Sequence, residues 1–341
     1  MRTGKNPAKD GLPAYTPHRL GVALIVYIPF TEGYFENSLE IFRYQLDSLR
    51  ATTGEPFDLL VFDNGSCAQA VSAMQEMYDQ HQIDWLILSA HNIGKAGAWN
   101  WIFASMPNEL ICYADSDVLF RPGWLEASLQ VLQAFPMAGM IGAQPNFYDV
   151  MAGEGTAHLA LQENDTYTFG DYWPAKETID EYCFGIGASE ELAAQFHSIP
   201  LPAITEQQLE VKAIIGASHM QFLIPREVSR QVVPLPSTKG LLRKETMSID
   251  YKIDELGYLH LSTPESYVFH MGNTVNERLI EEVEHITASP EISAPARQKS
   301  AKPFTVQRWL TSLAKRPRFN RLFLRLYNLL FRALYSEAME K

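Results

Sequence analysis

Cysteine is scarce in this chain: three among 341 residues, Cys67, Cys112 and Cys183, far apart and odd in number. That excludes a disulfide framework and offers no zinc-ligand spacing. Long apolar runs are missing too, since the best uncharged apolar stretch, Leu20 to Thr31, is too short to cross a bilayer. The opening residues, Met1-Arg2-Thr3-Gly4-Lys5-Asn6-Pro7, are polar and lack the apolar centre of a signal sequence. Positive charge is in deficit, with 28 Lys and Arg against 40 Asp and Glu and a net charge of −12, which argues against general nucleic-acid binding. Together these absences lead to the expectation of a reducing, cytoplasmic setting and no nucleic-acid partner.

With 46% hydrophobic and 20% charged residues, the chain can bury one large core or two smaller ones. Its charge is unevenly spread. Eight Lys and Arg and no Asp or Glu lie between Lys302 and Ser336, and the last five residues contribute −1, so residues 1–301 carry about −19. An acidic body ends in a basic tail.

Strand and helix signals alternate along the body. Val22 to Ile28 reads as a buried strand stopped by Pro29, followed by a helix over Glu36 to Leu49 with Leu39, Phe42, Leu46 and Leu49 on one face. Further strands are predicted at Phe57 to Phe62, Trp85 to Leu88, Leu110 to Ala114 and Met137 to Ala143, with helices at Val71 to His81, Ala96 to Phe103 and Trp124 to Phe135. This order predicts a mainly parallel sheet with helices on both faces, and ligands in such sheets bind beyond the carboxyl ends of the strands. Pro29, Asp63, Asn92 and the pair Asp115 and Asp117 fall at those ends. The pattern weakens from Asn146 to Pro202, apart from a helix near Ser189 to Phe196. It returns as one strand over Ala213 to Ile224, a short helix over Arg226 to Val232, a helix opening at Asp250 and capped by Gly257, and a strand from Ser266 to Phe269. Thr287 to Pro303, rich in Ala, Ser and Pro, reads as a linker.

The run Ile111-Cys112-Tyr113-Ala114-Asp115-Ser116-Asp117-Val118-Leu119-Phe120 delivers two carboxylates to a strand end, where unpaired burial would be strongly unfavourable. A hard divalent cation such as Mg²⁺ or Mn²⁺, with the phosphates it carries, would relieve that. The alternative is a turn in which Asp115 caps the next helix and Asp117 faces water.

In order, the chain presents strand-Pro29, strand-Asp63-Asn64-Gly65-Ser66, Asn92-Ile93-Gly94-Lys95-Ala96-Gly97-Ala98, Asp115-Ser116-Asp117 and a late strand-His270. This succession, over roughly Leu20 to Asn273, resembles the inverting glycosyltransferases of family 2. The resemblance implies the GT-A fold, a Rossmann-like three-layer α/β/α sandwich on a mainly parallel mixed sheet. It implies a nucleotide-sugar-binding half over residues 20–145 and an acceptor-binding half over 146–286, after a leader over 1–19. It also implies metal-dependent transfer, with inversion, from a nucleotide-diphosphate sugar to a saccharide or lipid-linked acceptor. Asp63 would bond the base, beside Asn64, and Pro29, Phe30 and Thr31 would line the base and ribose. Asn92 and Lys95 would lie near the base or phosphates, and Asp115, with Ser116, near the ribose or the ion's water shell. Asp117 would ligate the Mn²⁺ or Mg²⁺, joined by His270, and Asp250 would be the acceptor-activating base.

The chemistry is coherent on its own terms. A departing diphosphate accumulates negative charge that a divalent ion stabilises, and a carboxylate across the sugar can accept the acceptor's proton. The chain departs from the family pattern where Ile249, not an acid, precedes Asp250, and Asp254 one turn on is the rival base. A helix N-terminal acid is the plain alternative for Asp250, a structural histidine for His270 and a simple turn for Asp63 to Ser66. His158 and His219 read as solitary and without assigned role, and Tyr167, Phe169, Tyr172 and Trp173 as a packed insertion or an acceptor-stacking group. A non-catalytic saccharide- or nucleotide-binding protein on the same fold is the main rival. A nucleotidyltransferase would need a basic Gly-rich loop where Pro29-Phe30-Thr31-Glu32-Gly33 stands, and an Asp-x-Asp phosphatase would need Thr where Val118 stands.

In the tail, residues 304–341 beyond the linker at 287–303, Arg318, Arg321, Arg325, Asn328 and Arg332 fall on one helical stripe beside a wide apolar face. Such an amphipathic helix suits an anionic membrane surface on the inner face of the cytoplasmic membrane, and hence a lipid-linked precursor of a surface polysaccharide. Docking on the catalytic domain and pairing into a homodimer are the competing readings.

Overall fold

The computed structural model describes residues 15–147, 166–236 and 242–288. From Thr16 on, the described residues fall in one compact unit. Thr287, the first residue of the expected linker, instead ends the last described helix, and residues 289–303 of the linker, the basic tail and His158 lie outside the described residues. Among the described residues, no helix is long and apolar enough to cross a membrane.

The first half alternates as expected: β1 (Leu20–Val26), α1 (Ser38–Thr52), β2 (Phe57–Asp63), α2 (Ala68–Asp79), β3 (Trp85–Leu88), α3 (Gly94–Ser105), β4 (Leu110–Asp115), β5 (Val118–Phe120), α4 (Trp124–Ala134) and β6 (Ala138–Gly142). The second half adds β7 (Tyr167–Tyr172), α5 (Lys176–Gly185), α6 (Glu190–Ser198), β8 (Leu201–Glu206), β9 (Val211–Ile215), β10 (Gln221–Pro225), α7 (Arg226–Val232), α8 (Leu242–Glu255), β11 (Leu259–Ser262), β12 (Val268–His270) and α9 (Glu277–Thr287).

Ten strands form one sheet in the order β3-β2-β1-β4-β10-β6-β11-β9-β8-β7, and β12 and β5 make a separate pair. β3, β2, β1 and β4 run parallel, whereas β10 enters antiparallel between β4 and β6. Period-2 alternation covers both faces. Val22, Leu24 and Val26 pack with Phe42, Leu46, Met74 and Trp124 from α1, α2 and α4. Ala23 and Ile25 pack with Trp99, Ile102 and Phe103 of α3, Val228 and Val232 of α7, and Ile249 and Ile253 of α8. The three layers are therefore helix, sheet and helix.

Three readings change. The stretch Ala213 to Ile224 is two strands, β9 and β10, separated by a break at Gly216, whose φ of +102° suits glycine. Asp250 does not open a helix: α8 begins at Leu242, so Asp250 lies two turns in, and the N-terminal-acid alternative falls away. Asp115 caps no helix either, because a turn and β5 follow it directly. The weakly patterned region holds β7, α5 and β8, whose short elements pack into a small core of Phe147, Ile179, Cys183, Phe196 and Leu201 rather than the main one.

Candidate active site

Parallel register sets the site. Asp63 pairs with Val26 and Asp115 with Ile25, so both acids emerge at the carboxyl edge on either side of β1. Two strand spacings separate them, about 10 Å.

The turn after β2 is stitched to the loop after β1. Ile28 N donates to Ser66 Oγ at 2.9 Å, Cys67 N donates to Ile28 O at 2.8 Å, and Thr31 Oγ1 donates to Gln69 Oε1 at 2.9 Å. Pro29 and Phe30 ride on this loop, with the exposed Phe30 edge-on to Phe35 at 5.1 Å. Asp63 is buried, and its Oδ1 accepts from Ser66 N at 3.0 Å, so it organises the turn. Asn64 bonds the Asn92 loop: its Nδ2 donates to Asn92 Oδ1 and to Gly94 O, each at 3.3 Å, and its Oδ1 accepts from Ile93 N at 2.9 Å. These residues form one floor.

Lys95, in the first turn of α3, reaches Asp115 with its Nζ 2.7 Å from Oδ1 and also donates to the carbonyl of His219 at 2.9 Å. Tyr113 Oη donates to Asp115 Oδ1 as well. Burial first, and then the Asp115 carboxylate, push the Tyr113 hydroxyl well above its ordinary value, so it remains a donor. Ser116 lies half-buried in the turn between β4 and β5.

Asp117 faces His270, with Oδ2 3.3 Å from Nε2. Pairing of β5 with β12 causes this: Val118 is opposite His270, and Met271 N donates to Asp117 O at 2.8 Å. His270 Nδ1 donates to Gly185 O at 2.7 Å, which leaves Nε2 free of that bond and turned to Asp117. Gly185 allows the approach by lacking a side chain, since a Cβ there would sit 2.8 Å from His270 O. Burial raises the Asp117 carboxyl above its ordinary value and Asp115 adds to that, while His270 and Lys95 oppose it. No cluster of three or more His, Cys, Asp or Glu suited to a metal occurs among the described residues. An oxygen and a nitrogen ligand with an oriented imidazole fit an ion that takes its other ligands from phosphates and water.

Asp250 is 2% exposed and lies beneath His219. His219 Nε2 is 2.8 Å from Asp250 Oδ2, His260 Nδ1 is 3.3 Å from Asp250 Oδ1, and His260 Nε2 is 3.3 Å from Asp254 Oδ1. Burial alone would lift the Asp250 carboxyl, but hydrogen bonds from His219 and His260 hold it below the usual carboxylate range. Burial alone would lower His260, yet its bonds to Asp250 and Asp254 raise it to about 9. His219 is thus not solitary, and His260, unassigned from the sequence, is fully buried in β11. The Gly216 break inside an apolar run was the available signal for His219; nothing local marked His260. The aromatic group divides: Tyr167 stacks on Phe135 at 5.4 Å, whereas Trp173 is 60% exposed.

Residues 34–195 match the family model described as glycosyl transferase family 2. No curated protein matches the chain. Similar solved structures include the mannosyltransferase PcManGT from Pyrobaculum calidifontis in complex with GDP-Man and Mn²⁺, at 14% identity over 96% of this chain and 89% of that one, TM-score 0.46. S. aureus TarS 1-349 is similar at 10% identity over 79% of this chain and 64% of that one, TM-score 0.43. GalNAc-T7 with UDP, GalNAc and Mn²⁺ is similar at 12% identity over 80% and 48%, TM-score 0.44. The family match runs across the Asp63 turn, the Asn92 loop and the Asp115–Asp117 turn, so residues 34–195 are similar to the family 2 glycosyl transferases, and the helix–sheet–helix layers are those expected of a GT-A fold.

Proposed function

We propose that this chain transfers a sugar, with inversion and with a divalent cation, from a nucleotide-diphosphate sugar to a saccharide or lipid-linked acceptor. The observation that carries the reading is the Asp117–His270 pair, 3.3 Å apart beside the Lys95–Asp115 ion pair at the carboxyl edge of the parallel strands. Two ligands from different halves of the chain make a site that diphosphate oxygens would complete.

In this reading Pro29, Phe30 and Thr31 flank the base and ribose, above the floor that Asp63, Asn64 and Asn92 hold rigid. Asp117 and His270 hold the Mn²⁺ or Mg²⁺, which when bound supplies positive charge to the leaving diphosphate. Lys95, already fixed by Asp115, adds a cation whose position needs no reorganisation as charge develops. Asp115 and Ser116 border the ribose and the ion's water shell. Deprotonation of the acceptor falls to the Asp250 cluster on the other side of Lys95, with Asp254 at its far end. A lipid-linked acceptor would bring the basic tail to an anionic surface, in keeping with polysaccharide synthesis.

A thermal-shift panel of GDP-mannose, UDP-N-acetylglucosamine and UDP-N-acetylgalactosamine, with and without Mn²⁺, tests the reading. A donor at about 100 times its Kd stabilises the native state by about 2.7 kcal/mol. The expected result is a rise in Tm of several degrees with one donor, only when Mn²⁺ is present. Unchanged melting with every donor would overturn it.

A further inference from the structure

Four side chains stand in file behind Lys95: His219, Asp250, His260 and Asp254, joined by contacts of 2.8, 3.3 and 3.3 Å. Their exposure decides their roles. Of the side chains, that of His219 is 21% exposed, that of Asp250 3% and that of His260 0%. An acceptor hydroxyl cannot touch a carboxylate so covered without first displacing the imidazole above it. The imidazole itself is within reach.

We propose that His219 is the catalytic residue that takes the acceptor's proton, and that Asp250 is the positioning residue that orients it. This rests on the transferase reading above and deepens it.

The hydrogen-bond pattern fixes the tautomer. An ionised carboxylate only accepts, so neutral His219 carries its hydrogen on Nε2, donates it to Asp250 Oδ2 and keeps a lone pair on Nδ1. In the transfer step the acceptor oxygen forms a bond to the anomeric carbon. The bond from that carbon to the diphosphate oxygen breaks, and its electron pair leaves with the nucleoside diphosphate. The hydroxyl proton passes to His219 Nδ1, and the imidazolium later yields it to water.

Charge favours this direction. Beyond His219 the file holds two carboxylates against one imidazolium, so it carries one net negative charge, which the proton cancels. The groups facing His219 are Asp250 from α8, the Trp99 ring of α3 at 6.2 Å, and Lys95 of α3, bonded to the His219 carbonyl. Lys95 would oppose an imidazolium, but Asp115 neutralises it. His260, cationic because burial is outweighed by its two acids, keeps Asp250 ionised for the task.

The test uses the full chain with Mn²⁺, and GDP-mannose and UDP-N-acetylglucosamine as probes. It reads release of nucleoside diphosphate across pH, with calorimetric binding of GDP and UDP alongside. His219→Gln is expected to bind nucleotide as the wild type does, while release drops by about 100-fold or more and the acidic limb of the kcat/KM profile disappears. Imidazole should restore turnover to His219→Ala, a rescue that a merely structural role would not give. Asp250→Asn should lower kcat at constant KM, because the imidazole loses the carboxylate that orients it. A His219→Gln enzyme within about threefold of wild type with an unaltered profile overturns the proposal. So does failed imidazole rescue of a folded His219→Ala enzyme. A wild-type chain that binds neither GDP nor UDP overturns the transferase reading itself, and this one with it.

Discussion

Lys95 and His219, 124 residues apart, are joined by a single bond: the Lys95 ammonium donates to the His219 carbonyl at 2.9 Å. His219 at the same time turns its imidazole to Asp250. One residue therefore touches both the Lys95 ammonium at the carboxyl edge of the parallel strands and the buried acid on the far side. The two halves of the proposed reaction share a hinge point in the loop between β9 and β10.

The Asp117–His270 pair predicts a metal requirement. Asp117→Ala should abolish Mn²⁺-dependent binding of GDP and UDP while leaving the fold intact, because Asp117 is only half-buried. Calorimetry with and without EDTA checks this. Wild-type affinity for nucleotide and Mn²⁺ in the variant would contradict it.

Gly185 tests the same pair from a distance. A methyl group there would press on His270 O at 2.8 Å and His270 Cβ at 2.9 Å, so the strand must shift. Gly185→Ala should weaken Mn²⁺ affinity by about 10-fold or more, as loss of an orienting partner does in other metal sites. Titration of Mn²⁺ by electron paramagnetic resonance reads it directly.

Separation of binding from chemistry is expected at Asp250. Asp250→Asn should retain the Mn²⁺ and nucleotide affinities of the wild type, because its partners are His219 and His260 rather than the Asp117 pair. Product formation should drop by about 100-fold or more. Equal loss of donor affinity and rate would place Asp250 in donor binding instead.

His260 predicts a stability that declines in alkali. Its folded-state value of about 9 lies above the unfolded 6.5. The stabilisation is complete below the unfolded value and is lost as pH rises through the folded one. Between pH 6 and 9.5 the wild type should therefore lose roughly 1–3 kcal/mol more than His260→Gln in urea unfolding. Asp250, held below its ordinary value, acts in the opposite sense: its stabilisation is present near neutrality and is lost as strong acid protonates it. Parallel curves for wild type and His260→Gln would refute the assignment.

The elements of the first half were legible because each is local. Val22 to Ile28, Phe57 to Phe62 and Leu110 to Ala114 are short apolar runs punctuated by Pro29, Asp63 and Asp115, and the strands end within three residues of those marks. Gly216 misled in the opposite direction, since the apolar residues on both sides of it hid a break of five residues between β9 and β10. The helix α8 was read too short because Arg243, Lys244 and Glu245 gave its first turns no apolar stripe. α9, passed over in the sequence, packs Leu279, Val283 and Ile286 against Ile41, Leu119 and Phe269.

Residue order alone determined the alternation of strands and helices, and with it an edge where Asp63, Lys95 and Asp115 must gather, because a parallel sheet sends every strand end to the same side. Only the tertiary structure decided which partners those groups meet. Asp117 finds His270 through the pairing of β5 with β12, and Asp250 of α8 meets His219 from the loop between β9 and β10 and His260 from β11. Such meetings depend on long-range register and on burial that leaves a charge no solvent to turn to, and neither is written in any local run of residues.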